Sequence, residues 1–144
     1  MKARRFKDLL KVKKQALLDV ERQIEDVRVR ILRLRKESLD IDSKISSLQK
    51  PQEGDFGAFQ LAQRGLLLLI GEKDTIHEQV IFREEQLEGL NRLYQEVNIE
   101  HEKILHLDKQ EQEEIALEMA KEESKEMDEI ANILFANRQK KRTQ

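Results

Sequence analysis

The chain has 144 residues, of which 39% are charged and only 4% aromatic, with no Trp, a single Tyr and a formal net charge of -2. That mixture cannot fill a broad core, but it suits long helices that share one thin apolar seam. Cysteine is absent, which excludes disulfides and Cys-based zinc sites. The longest apolar run, Leu66 to Ile70, falls far short of the roughly 20 residues a membrane span needs.

At the start, Lys2, Arg4, Arg5 and Lys7 look like the basic region of a signal peptide, but no apolar stretch follows. The expectation is a soluble, cytoplasmic protein without direct membrane insertion. From Leu10 onward, apolar residues recur with alternating spacings of three and four. One register holds Leu10, Leu17, Ile24, Ile31, Ser38 and Ile45; the other holds Lys13, Val20, Val27, Leu34, Ile41 and Leu48. Ten of these twelve positions are apolar, a coiled-coil signature that predicts a helix over residues 3–49.

Pro51 pushes Lys50 out of the helical region, and Gly54 and Gly57 permit a reversal, so residues 50–57 read as the loop. A second seam follows on a helix predicted over 58–137. Phe59, Leu66, Lys73, Val80, Leu87 and Tyr94 form one register, and Ala62, Leu69, Ile76, Arg83, Leu90 and Val97 the other. Folding the chain back with the shortest loop pairs residues whose numbers add to 107. Leu48 then faces Phe59, Ile31 faces Ile76, Val20 faces Leu87 and Leu10 faces Val97. No layer joins two polar residues, and each polar seam side chain lies along an apolar one. A slip of one heptad is the competing alignment. The fold class is all-α: two long helices in an antiparallel coiled-coil hairpin, the second longer, forming a single domain over 1–144. In the shortest-loop alignment Ala3 lies near Ile104, leaving Leu105 to Asn137 as an excess arm. Its pattern shifts phase toward Ile115, Met119, Met127, Ile130 and Leu134. A basic tail, 138–144, closes the chain.

The charges are segregated. Residues 1–50 carry fifteen Lys or Arg against eight acids, whereas 110–137 carry two against nine. Such a layout favours oriented docking on charged protein surfaces, and the lack of interleaved aromatics argues against nucleic acid. The acidic stretch Glu111 to Glu129 reads first as a solvated helix face and second as a docking surface. The cluster from Arg138 to Arg142 reads first as a solubilising helix end and second as a basic patch. His101 and His106 are five apart and do not share a helical face, so no metal site is expected. No phosphate-binding loop or nucleophile elbow occurs, and two paired helices offer no concave pocket. No catalytic residue, cofactor or enzymatic activity is expected.

Apolar residues off the seam carry more information. Leu32 and Leu39 on the first helix, with Leu67, Ile70 and Ile81 on the second, line one flank, and Leu68 and Phe82 lie nearby. A two-helix pair cannot bury two of its sides, so this flank is a partner surface, a self-association surface or scattered surface apolarity.

The size, the Phe6-Lys7 opening, Asp55-Phe56-Gly57-Ala58-Phe59, Tyr94 and the closing Lys125-Glu126-Met127-Asp128-Glu129-Ile130-Ala131 together resemble the FliJ family of flagellar type III export proteins. The resemblance implies a non-enzymatic stalk in flagellum biogenesis and motility, cytoplasmic and peripheral to the inner membrane at the export apparatus. The implied partners are the export ATPase hexamer, the cytoplasmic domain of the export gate, and export chaperones or an ATPase regulator. On that view Phe6, Leu9, Met127, Ile130 and Leu134 enter the ATPase ring, while Leu32, Leu39, Leu67, Ile70, Ile81 and Phe82 face the gate. The rival readings are a generic structural coiled-coil adaptor and a prefoldin-like holdase, the latter calling for β-hairpin sequence that eight loop residues cannot supply.

Overall fold

The 3-4 spacing is realised as two α-helices, α1 over Lys7–Leu48 and α2 over Phe56–Thr143. The computed structural model describes residues 4–48 and 56–143. They pack against each other in antiparallel fashion, the second far longer than the first, so the all-α two-helix class is as expected. Most of the expected loop, together with the helical assignment at residues 3 and 49, lies outside the described residues. Three boundaries differ from expectation, the first being that α1 starts at Lys7, with residues 4–6 not helical. Phe56 and Gly57 are helical rather than loop, and the helix runs through Arg138 and Lys140 to Thr143 rather than ending at 137. The last turn holds Lys140, Lys141 and Arg142, cations that favour the negative end of the helix dipole and so extend the helix.

The chain divides into two compact units, Ala16–Asn98 and Met1–Gln15 with Ile99–Gln144. In the Ala16–Asn98 unit the buried residues are Val20, Ile24, Val27, Ile31 and Ile41, all on the α1 seam and 5–8% exposed. The apolar seam residues of α2 in this unit are half-buried: Leu66, Leu69, Ile76, Val80, Leu87, Leu90, Tyr94 and Val97. Leu48 and Phe59, expected as the layer next to the loop, are exposed instead, at 39% and 60%.

The alignment is the slipped one. Lys73 Nζ donates to Asp42 at 2.5 Å, and Tyr94 Oη donates to Glu21 at 3.4 Å. A Cβ placed on Gly65 would sit 3.5 Å from Leu48 Cδ1. These three pairs add to 113 or 115, which places seam layers at a sum of 114 rather than 107. Leu48 therefore meets Leu66, Ile41 meets Lys73, Ile31 meets Arg83, Val27 meets Leu87 and Val20 meets Tyr94. Arg35 reaches Glu84 at 2.8 Å on the flank, a span too long for the shorter-loop alignment. The reason is electrostatic. A shift of seven keeps every apolar layer in phase but exchanges Arg35 for Asp42 beside Lys73, and Lys14 for Glu21 beside Tyr94.

In the other unit, Leu10 and Ile104 are half-buried, as are Lys13 and His101. Lys13 approaches Glu100 at 4.0 Å. Here too the pairs follow the slipped alignment, so the paired stretch continues past Ile104 and the free arm starts later than expected. Beyond Ile115, every residue from 116 to 142 is exposed, about 40 Å of helix at 1.5 Å per residue.

Candidate functional site

Three surfaces stand out. The first is the flank of the Ala16–Asn98 unit. Leu32, Leu39 and Leu67 are each 66–68% exposed there and Ile70 and Ile81 are partly exposed, whereas Leu68 and Phe82, 71% and 62% exposed, lie on the other side of the seam. They are solvent-facing because the seam already occupies one side of each helix, and a two-helix pair has no second layer to cover them. Phe82 carries the Arg83 guanidinium over its ring, 5.6 Å from the centroid. Beside it, Arg30, Arg33 and Leu34 from α1 and Thr75 and Gln79 from α2 line a shallow open groove. Phe56, Phe59 and Leu61 at the start of α2 are likewise exposed.

The second surface is the arm. Met127, Ile130 and Leu134 are 55–70% exposed, together with Leu117, Ile133 and Phe135. Phe6 just precedes α1 and Leu9 lies in its first turn. Phe6 is half-buried and Leu9 exposed near Asp108, whereas Met127 follows nineteen residues later, about 28 Å along the helix.

Sequence reasoning missed the third feature. Asp108 and Glu111, 3% and 5% exposed, are the two buried polar residues among those described. They occupy seam positions, because the spacing from Ile104 through 108 and 111 to Ile115 continues the 3-4 alternation. Arg4 Nε and Nη2 donate to the two Asp108 oxygens at 3.3 and 2.7 Å, a two-pronged pair. Gln112 Nε2 adds a third bond to Asp108 at 3.0 Å. Glu111 accepts the Arg5 backbone N–H at 2.6 Å and Arg5 Nε at 2.8 Å. Its carboxylate thus caps the chain just before α1, where backbone donors lack helical partners. Hydrogen bonds from the Arg5 side chain and backbone hold the Glu111 carboxyl below its ordinary value, more than desolvation raises it. The bond to Asp108 raises the Arg4 guanidinium in turn. The signal in the sequence was the unbroken 3-4 spacing through two acids, with a pair of arginines opposite once the alignment slips.

Among the described residues, no group of three or more His, Asp or Glu could hold a metal ion, and no helix is long and apolar enough to cross a membrane. These features define an α-helical coiled-coil protein with exposed apolar faces. The chain belongs to the FliJ family, described as flagellar FliJ protein, whose model matches residues 1–140. Membership makes it a structural, non-enzymatic component of the flagellar export apparatus. Neither a curated protein nor a solved structure matches the chain.

Proposed function

We propose that the protein is a cytoplasmic stalk at the inner-membrane export apparatus, engaging the export ATPase hexamer with its arm and the cytoplasmic domain of the export gate with its flank. Export chaperones or an ATPase regulator are the further partners of this reading. The family match over residues 1–140 carries it. Two separate apolar faces support it, the flank in one compact unit and Met127, Ile130 and Leu134 in the other. Faces on different units should fail independently when mutated. Polar replacements at Leu67, Ile70 and Ile81 should weaken gate binding and leave ATPase binding intact, because none of these positions is on the seam. Truncation before Glu126 should do the reverse. Binding of each variant to the purified ATPase and to the gate domain tests the reading, with circular dichroism verifying that both stay helical. If the flank variant loses both partners while folded, or wild type binds neither, a purely structural coiled coil takes its place.

A further inference from the structure

We propose that the Arg4–Asp108 and Arg5–Glu111 pairs are a register lock that holds α1 and α2 in one of two alignments open to this sequence, seven residues apart. This stands independently of the docking role above. The seam itself is nearly indifferent between the alignments. A shift of one heptad carries every seam position onto another of the same phase, so apolar layers form either way. At a sum of 107 no layer joins two polar residues. At the observed 114 one does, Lys13 with His101, and Lys13 lies 4.0 Å from Glu100. On apolar pattern alone the observed alignment is therefore slightly the worse.

What tips the balance is polar. The pairs Lys73–Asp42 and Arg35–Glu84 favour the observed alignment, but their side chains are 43–60% exposed, and exposed pairs contribute little. The carboxylates of Asp108 and Glu111 are 5% exposed, and each is matched by an arginine that stays partly in solvent, 40% exposed at Arg4 and 76% at Arg5, so what sets these pairs apart is the burial of the acid. A buried charge left without its partner is strongly unfavourable, so these two positions tolerate the seam only while Arg4 and Arg5 are opposite. In the other alignment Arg4 would neighbour His101 and Arg5 would neighbour Ile104, and both acids would pass into the exposed arm. The lock thus fixes how much of α2 is paired. Opening it slides α1 by one heptad, about 10 Å, and lengthens the arm by the same amount. The element is bistable because its core can pair in two alignments and its ion pairs in one.

Disulfide formation between paired cysteines reads the alignment directly. Leu10→Cys with Ile104→Cys reports the observed alignment, and Phe6→Cys with His101→Cys the shorter-loop one. In the otherwise wild-type chain the 10–104 disulfide should form and the 6–101 disulfide should not. Adding Arg4→Ala and Arg5→Ala should reverse this preference while the helical circular dichroism persists. A second variant separates a lock from general weakening. Adding Asp108→Leu and Glu111→Leu to the arginine variant removes the buried charges and should restore the 10–104 disulfide. The proposal is overturned if the arginine variant keeps the 10–104 disulfide, if it loses both disulfides, or if the leucine replacements fail to restore the first.

Discussion

Residues 16–48 of α1 and 116–142 of α2 are both unbroken helix, yet they are helical for different reasons. The first buries Val20, Ile24, Val27, Ile31 and Ile41 against α2. The second buries nothing: all of its residues are exposed, including Met127 at 70%. Its helix rests on residue type instead. Glu, Ala, Lys, Met and Leu dominate it, and opposite charges lie three apart at Glu118–Lys121 and Glu122–Lys125 and four apart at Lys125–Glu129. Tertiary burial holds one stretch and local propensity the other, so the same substitution should have different consequences in each. A seam residue affects stability, whereas an arm residue affects what the arm touches.

The largest expected effect is on the seam. Val27 is 5% exposed and aligned with Leu87, so Val27→Asp places a carboxylate where no cation is opposite. It should cost about 3–5 kcal/mol in chemical denaturation followed by circular dichroism. Ile31→Asp removes a side chain that is also buried, at 6%, but the residue aligned with it is Arg83. Arg83 is half-buried and its guanidinium can answer the new charge, so the loss should be smaller by about 1–2 kcal/mol. Equal losses would contradict the alignment, because at a sum of 107 both residues face aliphatic partners.

A smaller effect is expected at the Arg5–Glu111 pair, and its sign follows from the carboxyl. Glu111 titrates below its ordinary value of 4.5 because Arg5 bonds the ionised form through side chain and backbone. The groups facing it are Arg5, Arg4 and Asp108, with Gln112 bonded to Asp108. The unfolded chain holds this proton more tightly than the folded one does. The contribution is therefore complete above the ordinary Glu range and is lost as the pH falls through the depressed value. Amide exchange at Leu10, whose N–H bonds Phe6 O at 2.8 Å, should quicken relative to intrinsic rates as the solution is acidified. In Glu111→Gln that acid dependence should be weaker, and an identical pH profile would show that the carboxyl does not hold the start of α1.

The helical class was legible because it depends only on spacing, and ten apolar residues in twelve seam positions leave one geometry that can bury them. The alignment was not. Leu48 can meet Phe59 or Leu66 with equal apolar logic, since a slip of seven leaves the phase unchanged. Charges distinguish the two, Asp42 beside Lys73 off the apolar seam and Asp108 and Glu111 with their arginines on it. Asp108 and Glu111 were hidden for a related reason: a search for apolar periodicity passes over acids that keep the same spacing. The exposed flank was easier to find. Leu32, Leu39 and Leu67 sit off the stripe whichever alignment holds, so their exposure follows from the spacing alone. The end of α2 was misplaced because the basic residues after Asn137 read as a tail, whereas cations at a helix C-terminus prolong it.

The smallest expected effect is on the arm. Ile130 is 55% exposed, and Leu134, one turn on, is 59% exposed. Replacing Ile130 with Gln gives up little burial, introduces no charge beside Glu126 or Glu129, and substitutes a residue of slightly better helix propensity. The expected change in unfolding free energy is within about 0.5 kcal/mol, the range for surface substitutions away from packed features. The same substitution in the seam, Ile24→Gln, buries an amide against Leu90 and should cost several times as much, about 2–4 kcal/mol. Measured side by side, the two variants isolate burial from residue type, because the side chain removed and the side chain introduced are identical. A loss above about 1 kcal/mol for Ile130→Gln would mean that the arm packs on a surface of its own, such as a second copy of the chain. In that case the loss should grow with protein concentration, whereas an arm free in solution gives the same value at every concentration.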